Sequence, residues 1–549
     1  MPRSGALIRV RHGAGRLERF FDGSPLGISA YRRLYGGAVT TSMAFTMQSA
    51  MAGWLMVSLS GSATMVGLVQ ASATLPFLLF GLISGSLSDL VDRRHVLVVT
   101  HLMMAAATAT VGFLSMAGVL TPLWLVLMTL LCGLGYTFYQ PAQQASINSL
   151  VGRNLLPRAV ALGSIAFNAA RSLGPAIAGL IAARLGDGPS VLLAALFFLP
   201  MLPASLSAVP PREQRSAEAS ETLCSGIRSG LRFTLCALPL RAAILLNLLF
   251  CFCAAALWAM FPLVAQQRLG LAADGYGFLY STFGLGAVVS ALVLPPWLRK
   301  LPTGRVVRAA LLLWCVGAVI VGFSDHVPTA IVGTFLAGIA WVGVLASLST
   351  VAQGNAPGWV RARAVANNQI AVQAGLAIGS LFWGLMVSWQ DLQRSLVASA
   401  VLLALMTWLT RREPLEMGHD EDVTADDFMP PIALPEGVRL APGTPVQIEY
   451  RYHPDDDRHE SFLQAIHALA ASRRRNGGLR WQLIDTGRDG FVERFRMESW
   501  ADCQRLPSRM TQTDRRLFEQ VMATLPEGTP PPQATVVLAA KPGASVSGH

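Results

Sequence analysis

Long apolar segments separated by short polar connections occupy most of the first 410 residues of the chain. Most of them are long enough to cross about 30 Å of hydrocarbon as helices. Glycine and proline occur inside them, as they do in membrane helices, where neighbouring groups satisfy the freed backbone. The pattern predicts an all-α membrane domain of twelve transmembrane helices. The predicted spans are 35–59, 64–88, 95–118, 121–148, 159–183, 189–208, 240–265, 275–298, 306–324, 327–350, 364–388 and 392–409.

Lysine and arginine are distributed unevenly between alternate connections. One side of the predicted membrane domain carries 24 of them, and the other carries three, Arg184, Arg268 and Arg394. Because positive charge is retained on the cytoplasmic side, this asymmetry predicts that both termini are cytoplasmic. The net charge of +11 is mostly this excess, so we expect a lipid bilayer and no nucleic acid as partner. A bacterial inner membrane is the predicted location.

The two halves of the membrane domain resemble each other at an offset of 205 residues. Residues 133–136 (GLGY) align with 338–341 (GIAW), and 158–161 (RAVA) align with 363–366 (RAVA). Each half has six predicted spans, which indicates two parallel six-helix repeats related by an axis along the membrane normal. Transporters of this plan hold a substrate between the halves. The predicted divisions are a tail 1–34, an N-terminal bundle 35–208, a cytoplasmic linker 209–239, a C-terminal bundle 240–410, a second linker 411–445, an α+β domain 446–541 and a tail 542–549.

The chain after Arg412 has a different composition. Strands are predicted at Val446–Tyr452, Leu479–Asp485, Phe491–Trp500 and Ala534–Ala539, with helices at Asp455–Arg475 and 501–524. This βαββαβ order is typical of a ferredoxin-like domain. We expect helices on one face of its sheet and an open apolar face on the other. That face would carry Ile448, Tyr450, Trp481 and Leu483, and would pair two copies into a homodimer.

The linker at 209–239 contains an amphipathic stretch. Leu223, Ile227 and Leu231 recur at helical spacing, with Arg228 and Arg232 between them. Such a pattern predicts a helix lying on the cytoplasmic face of the membrane.

The connection between the second and third spans contains Gly85, Asp89, Arg93 and Arg94. With the two-half repeat, this stretch resembles the cytoplasmic signature of the major facilitator superfamily, although Leu90 and Asp92 depart from it. The resemblance implies a conformational motif in which Asp89 caps a neighbouring helix and pairs with an arginine. Arg361 and Arg363, at the start of the eleventh span, are the candidate partners.

The fifth span contains Gly174-Pro175 followed by Gly179, which looks like the glycine-proline helix-packing signature of exporters. Together with Asn168 and Arg171 before it, and with residues 379–384 (GSLFWG), the pattern is similar to the enterobactin-exporter-like, or transmembrane secretion effector, branch. That branch exports siderophores and drugs, and some members carry a tail resembling antibiotic-biosynthesis monooxygenases. The resemblance implies secondary active export of a small amphipathic compound, such as a siderophore, a macrolide or a related metabolite or drug, driven by the proton gradient.

Two alternatives stay open at this point. One is a solute importer of the same superfamily, and the other is a transporter fused to a small cofactor-free monooxygenase-like enzyme. We expect a transporter rather than an enzyme, without a cofactor or metal site.

Arg171 is the one charged residue placed deep in a predicted span. A cation at membrane depth is costly and normally faces a cavity or a partner. It contacts either an anionic substrate or neighbouring backbone carbonyls.

Major facilitators line their cavity with the first, fourth, seventh and tenth spans. The substrate-binding residues predicted on this basis, with two from the fifth and one from the eleventh span, are Thr41, Phe45, Gln48, Tyr136, Gln140, Gln144, Asn168, Arg171, Asn247, Trp258, Trp341 and Gln373.

No aspartate or glutamate lies deep in a predicted span. Proton antiport usually needs an intramembrane carboxylate, and arginine does not titrate usefully. The sequence analysis therefore leaves the residue that carries the coupling ion open.

Overall fold

The structure of the chain, a computed structural model, describes residues 24–152, 154–209, 223–412, 438–487 and 490–537, together with 415, 422–426, 428, 432 and 434. Helices dominate the part before residue 412. They are α1 Ser29–Ser60, α2 Ala63–Leu90, α3 Arg93–Met116, α4 Pro122–Leu150, α5 Leu156–Leu185, α6 Asp187–Leu196, α7 Met201–Ala208, α8 Leu223–Cys236, α9 Leu238–Leu263, α10 Ala273–Lys300, α11 Thr303–Phe323, α12 Val327–Gly354, α13 Arg361–Trp389 and α14 Leu392–Leu409.

Within the part of the chain that the structure describes, 11 helical stretches are long and apolar enough to cross a membrane. α1 adds a twelfth crossing by its length of 32 residues, although its threonines, serines and arginines make it more polar than the others. The predicted fold class of twelve spans in a major facilitator arrangement is confirmed, with α8 as an additional helix between the halves.

The sixth span differs in detail from the prediction of one helix over 189–208. It is built from α6 and α7, which are separated by a turn at 197–200. Pro200 and Pro203 lie at this break. Proline lacks the backbone N–H that continues a helical ladder, so the break has a local cause.

Two pairs of helices join the halves across the molecule, α2 with α13 and α5 with α10. Small residues allow the close approach. A Cβ on Gly179 of α5 would overlap the carbonyl oxygen of Ala273 and approach the Cα of Gly277 in α10. A Cβ on Gly174 would likewise overlap the hydroxyl of Thr46. Glycine is needed at both positions because any side chain would separate the helices.

The halves are also bonded to each other at one end of the bundle. Gln266 donates to the Ser58 hydroxyl at 3.1 Å, and Gln267 donates to the Gly61 carbonyl at 3.2 Å. Thr64 and Ser388 share a hydrogen bond of 2.7 Å. This end carries the arginine-poor connections. The space between the halves is therefore closed on that side.

The C-terminal domain is a four-stranded antiparallel sheet of order β2-β3-β1-β4. This is the strand order of a ferredoxin-like βαββαβ domain. The elements are β1 Val446–Tyr452, α15 His459–Arg475, β2 Leu479–Asp485, β3 Phe491–Met497, α16 Trp500–Gln504, α17 Leu506–Arg509, α18 Gln512–Met522 and β4 Thr535–Val537. The helix predicted over 501–524 is three short helices, because Pro507 and the capped start of α18 at Thr511 interrupt it.

The prediction that this sheet has an open apolar face is wrong. Ile448 and Tyr450 are buried in the domain core with α15, and Trp481 and Leu483 pack against the same core. The opposite face of β1 and β3 carries charge, since Glu449 pairs with Arg494 at 2.7 Å. The apolar side chains belong to the covered face, so the sheet has no apolar surface that requires a second copy.

Candidate functional site

Arg171 of α5 lies at the interface of the two halves. Its guanidinium group stands over the rings of Phe167 at 4.9 Å, Trp258 at 5.4 Å and Trp341 at 5.5 Å. Trp258 belongs to α9 and Trp341 to α12, so a cation from the first half rests on aromatic rings of the second. Among the described residues, no hydrogen bond or ion pair to this guanidinium is present. The alternative of bonds to neighbouring carbonyls is therefore not what the structure shows.

The aromatic residues around Arg171 are arranged as stacked pairs. Trp258 and Trp341 stack with ring centres 5.2 Å apart and an interplanar angle of 15°. Phe45 and Tyr136 stack at 3.9 Å and 14° in the first half. Such surfaces bind flat ring systems by stacking and hold a cation by the ring quadrupole, worth about 0.5–2 kcal/mol for each good contact.

A small apolar cavity lies beside Trp258 within the second half. Its lining residues are Leu257, Trp258, Phe261, Tyr280, Phe283 and Trp314. In this state the cavity has room for about one water molecule. The aromatic rings and the neighbouring cation nevertheless match the apolar and acidic parts of an amphipathic ligand.

Three predicted substrate contacts are instead bonded inside the bundle. The hydroxyl of Thr41 lies 2.9 Å from His101, and the Gln48 amide donates to Thr129 at 3.4 Å. Asn247 is buried and bonded to Asn368 at 2.6 Å. Each of these side chains connects neighbouring helices and is 4% exposed or less.

The remaining predicted contacts are spread along the inner surface. Gln140 and Gln373 are half-buried, and no hydrogen bond from Gln373 to another described residue is present. Gln144 is exposed and bonded to Asn148, one turn along its own helix, at 3.3 Å. Asn168 donates to the Ser164 carbonyl of its own helix at 2.9 Å. Of the predicted set, the structure groups Phe45, Tyr136, Arg171, Trp258 and Trp341 most clearly.

The conformational motif has a cap that the sequence analysis did not identify. Asp92 accepts a hydrogen bond of 2.9 Å from the Arg94 backbone N–H and thus caps α3. Arg94 donates to the Val209 carbonyl and Arg93 donates to the Ala145 carbonyl. Gly85 and Asp89 lie in the last two turns of α2. The side chain of Asp89 is outside the described residues, so its predicted cap and ion pair stay predictions.

The two candidate partners of Asp89 have different contacts at the start of α13. Arg361 donates to the Ala356 carbonyl at 3.2 Å, before its own helix. Arg363 donates to the Ser229 hydroxyl of the linker helix α8 at 2.7 Å. α8 therefore packs on the second half of the protein rather than on the membrane alone.

Six residues of the site were missed from the sequence: Leu257 and Phe261 on the cavity-lining span α9, and four aromatic residues on other helices. Phe167 lies on α5 one turn before Arg171, and Tyr280, Phe283 and Trp314 lie on α10 and α11. They come from helices outside the cavity-lining set that the family resemblance implies. The i, i+3 spacing of Tyr280 and Phe283 places them on one helix face and was the available signal.

The C-terminal domain is docked on the linker helix and on the connection before α13. Arg232 of α8 pairs with Glu498 and donates to the Gly477 carbonyl at 3.2 Å. The guanidinium of Arg509 lies over the Trp359 ring at 4.8 Å. These contacts join the domain to the start of α13, where Arg363 also meets α8.

We expect Arg232→Ala to loosen this docking and Arg228→Ala to leave it nearly unchanged. Both arginines contact Glu498, but the Arg232 side chain is 17% exposed and Arg228 is 72% exposed. A shielded charged hydrogen bond contributes about 1.5–3 kcal/mol, against about 0–1 kcal/mol for an exposed pair. Hydrogen exchange of the α8 amides in detergent measures the difference. Equal protection in both variants would show that other contacts hold the domain.

The core of the C-terminal domain contains a buried carboxylate, Asp514. It accepts hydrogen bonds from Arg475 at 2.7 Å, from Ser472, from Asn476 at 3.3 Å and from the Thr511 backbone and hydroxyl. Burial alone would raise the pKa of this carboxyl, but the Arg475 charge and these donors lower it below its ordinary value. The group is therefore ionised in the folded domain at neutral pH.

A second buried carboxylate, Glu493, joins strands and helix on the covered face of the sheet. It accepts from Tyr452 at 2.9 Å, Trp481 at 2.9 Å and Arg473 at 3.2 Å. Burial would lower the pKa of the Arg473 guanidinium, but the charge and hydrogen bond of Glu493, together with nearby Tyr450 and Tyr452, raise this pKa. Burial also raises the pKa of Tyr450, whose ring lies under Arg473, to about 12. Glu493 and its three donors have the character of a structural network, whereas the buried Tyr450 hydroxyl has no hydrogen-bond partner among the described residues.

Metal binding finds no support in the described part of the chain, where no group of three or more His, Cys, Asp or Glu residues could hold an ion. His459 packs on Phe491 and His467 packs on Trp481. His459 and His467 thus serve as ring contacts.

Comparison with known proteins agrees with this architecture. The multidrug efflux pump Tap of Mycolicibacterium fortuitum is 24% identical over 370 residues, which cover 64% of this chain and 88% of Tap. The enterobactin exporter EntS of Escherichia coli O127:H6 is 29% identical over 341 residues, covering 60% and 74%. A solved bacterial homologue of the human lysosomal transporter Spinster shares the fold, with a TM-score of 0.57 at 15% identity over 73% of this chain and 98% of that one.

The nucleoside transporter NupG also shares the fold, with a TM-score of 0.57 and 14% identity over 70% of this chain and 99% of that chain. The profile of one family, described as transmembrane secretion effector, matches residues 22–543, which include the C-terminal domain. By its family, the chain is a multi-span membrane transporter and not an enzyme. It belongs to the transmembrane secretion effector family of the major facilitator superfamily.

Proposed function

We propose that the protein exports a small amphipathic compound carrying an acidic group and a ring system, by alternating access driven by the proton gradient. The observation that carries this proposal is the guanidinium of Arg171, which rests on aromatic rings of both halves without an anionic partner among the described residues. A siderophore or a related aromatic metabolite or drug fits this description.

The physical reason is charge compensation. A cation away from water is costly, and ring contacts recover only part of that cost. An acidic substrate recovers more, because a guanidinium group can give a carboxylate or phenolate two hydrogen bonds. Substrate charge and protein charge then neutralise each other between the halves.

The contacts between the halves support an inward-open state. Hydrogen bonds close the arginine-poor end, at Ser58 and Gln266 among others. On the opposite end, a Cβ on Gly163 would meet nothing within 4 Å among the described residues. With both termini in the cytoplasm, a substrate enters from the cytoplasmic side and leaves after the closed end opens. The names of Tap and EntS describe efflux and export, which favours the same direction.

Transport into inverted vesicles tests this function. We expect vesicles containing the protein to accumulate enterobactin when their lumen is acidified, and vesicles with collapsed gradients to equilibrate only. Uptake by right-side-out vesicles under an inward proton gradient would instead identify an importer. No movement of enterobactin or of simpler aromatic acids in either orientation would contradict the proposal.

For the C-terminal domain we propose a regulatory role. Its docking on α8 and on the start of α13 connects it to the helices that move during alternating access. Homodimerisation through this domain stays a prediction. An apolar open face of the sheet no longer supports it, because that face is charged. The mass of the detergent-solubilised protein by light scattering tests it.

A further inference from the structure

His101 is a titratable group that the site described above does not use. It lies in the third turn of α3 and is 0% exposed. Among the Asp, Glu and His residues in the described part of the spans, it is the one that lies more than a turn from a helix end. Histidine is the side chain whose charge changes most readily near physiological pH.

Both ring nitrogens of His101 have oxygen partners. Nδ1 lies 2.7 Å from the Leu97 carbonyl, which can only accept, so Nδ1 carries a proton. Nε2 lies 2.9 Å from the Thr41 hydroxyl on α1. That hydroxyl is also 2.8 Å from the Gly37 carbonyl. Thr41 can therefore direct its proton either to Nε2 or to Gly37.

These contacts satisfy two protonation states. In the neutral state, the Thr41 hydroxyl donates to Nε2. When a proton binds Nε2, the new N–H donates to the Thr41 oxygen, and the hydroxyl proton turns to the Gly37 carbonyl. One proton is gained, no other bond is broken and every polar atom keeps a partner.

The ring of His101 packs between two aromatic side chains. The ring makes an edge contact with Tyr139 of α4 at 4.9 Å and with Phe198, from the turn between α6 and α7, at 6.3 Å. Thr41 faces it from α1. Of these neighbours, Tyr139 is the titratable one, and none is a carboxylate. Tyr139 in turn contacts Tyr136, which stacks on Phe45 one turn after Thr41.

We propose that His101 binds the proton that drives export, and that Thr41 is its positioning partner. This inference rests on the proposed function. It assigns the coupling residue to a contact between α1 and α3, beside the first-half ring pair of the substrate site. Protonation reverses the hydrogen bond between these helices, and so transmits the charge state of His101 to the wall of the cavity.

The test compares His101→Gln with His95→Gln, an exposed histidine in the first turn of the same helix. Purified full-length proteins are reconstituted in liposomes and supplied with enterobactin. In wild type and His95→Gln, an imposed pH gradient should drive accumulation above equilibrium. In His101→Gln, accumulation should fall to equilibrium, while counterflow without a gradient continues.

Each outcome decides between the proposals. Uphill accumulation by His101→Gln would overturn the assignment of the proton site and leave the exporter function standing. Failure of the wild type to accumulate enterobactin above equilibrium would overturn the proposed function itself, and with it this inference. Loss of counterflow in a folded His101→Gln protein would assign the residue to structure or substrate movement, and would also overturn it.

Thr41 provides a second variant if His101→Gln does not fold. Thr41→Val removes the oxygen that accepts from the charged ring, whereas Thr41→Ser keeps it. We expect the pH dependence of gradient-driven transport to move toward acid by about one unit in Thr41→Val, since a hydrogen bond to a charged group is worth about tenfold or more in equilibrium. Thr41→Ser should restore the wild-type profile. An unchanged profile in Thr41→Val would contradict the role of the pair.

Discussion

Arg171→Gln is expected to lower the affinity for an acidic aromatic compound by about 10- to 100-fold, the loss that corresponds to removing a charged hydrogen-bonded contact of about 1.5–3 kcal/mol. The affinity for the matching neutral amide should change little, because the rings of Trp258 and Trp341 remain. Arg171→Lys should give an intermediate loss, since lysine keeps the charge without the planar pair of donors.

Quenching of tryptophan fluorescence by 3-hydroxy-2-naphthoate and by its amide measures both affinities on the purified protein. Arg184→Gln is the matched control, because Arg184 is exposed in the last turn of the same helix. Equal losses for the acid and the amide would show that Arg171 maintains the shape of the site and does not bind the anion.

Asp514→Ala is expected to destabilise the C-terminal domain by about 3–5 kcal/mol, because it leaves the buried Arg475 without its counter-charge. Glu519→Gln in the same helix is the control. Its exposed pair with Arg515 contributes about 0–1 kcal/mol. The temperature at which the buried Cys503 becomes accessible to alkylation, measured by mass spectrometry, reports opening of this domain. Similar temperatures for the two variants would contradict the prediction.

Asp514 should also make the stability of the C-terminal domain depend on pH. The pKa of Asp514 is lower in the folded domain than its ordinary value, so its ionised form contributes stability above the unfolded-state pKa of about 3.9. That contribution is lost as pH falls from there through the lowered folded-state pKa. In Asp514→Asn, the Cys503 accessibility temperature should therefore vary less with pH below about 4.

The membrane domain could be predicted from the sequence because the patterns that indicate it extend over many residues. A run of about twenty apolar residues, or a repeat between two halves, can still be recognised when single residues depart from it. The break at Pro200 and the three helices in place of 501–524 depend on single prolines and caps, which a long window averages out. Periodicity placed Ile448 and Tyr450 on one face of β1, but it could not say which face the helices cover.

The candidate site was predicted in part for a similar reason. Arg171 was visible because a lone charge in an apolar span is rare. Tyr280 and Trp314 could not be predicted, because aromatic residues are common in membrane spans. The position of these two residues around Arg171 depends on how the two halves pack. His101 was overlooked because the search for a coupling group considered carboxylates alone. Thr41 was placed at the substrate, whereas its hydroxyl faces the histidine.

The docking of the C-terminal domain on α8 and Trp359 also has a consequence for the order in which the protein is made. Ribosomes synthesise α8 midway, Trp359 near the end of the second bundle and Glu498 last. The docking surface is complete only after both bundles have inserted, and its final component arrives from solution. Docking of the domain is thus a late step of folding, and a chain without it leaves Arg232 without Glu498 and the Trp359 ring without Arg509.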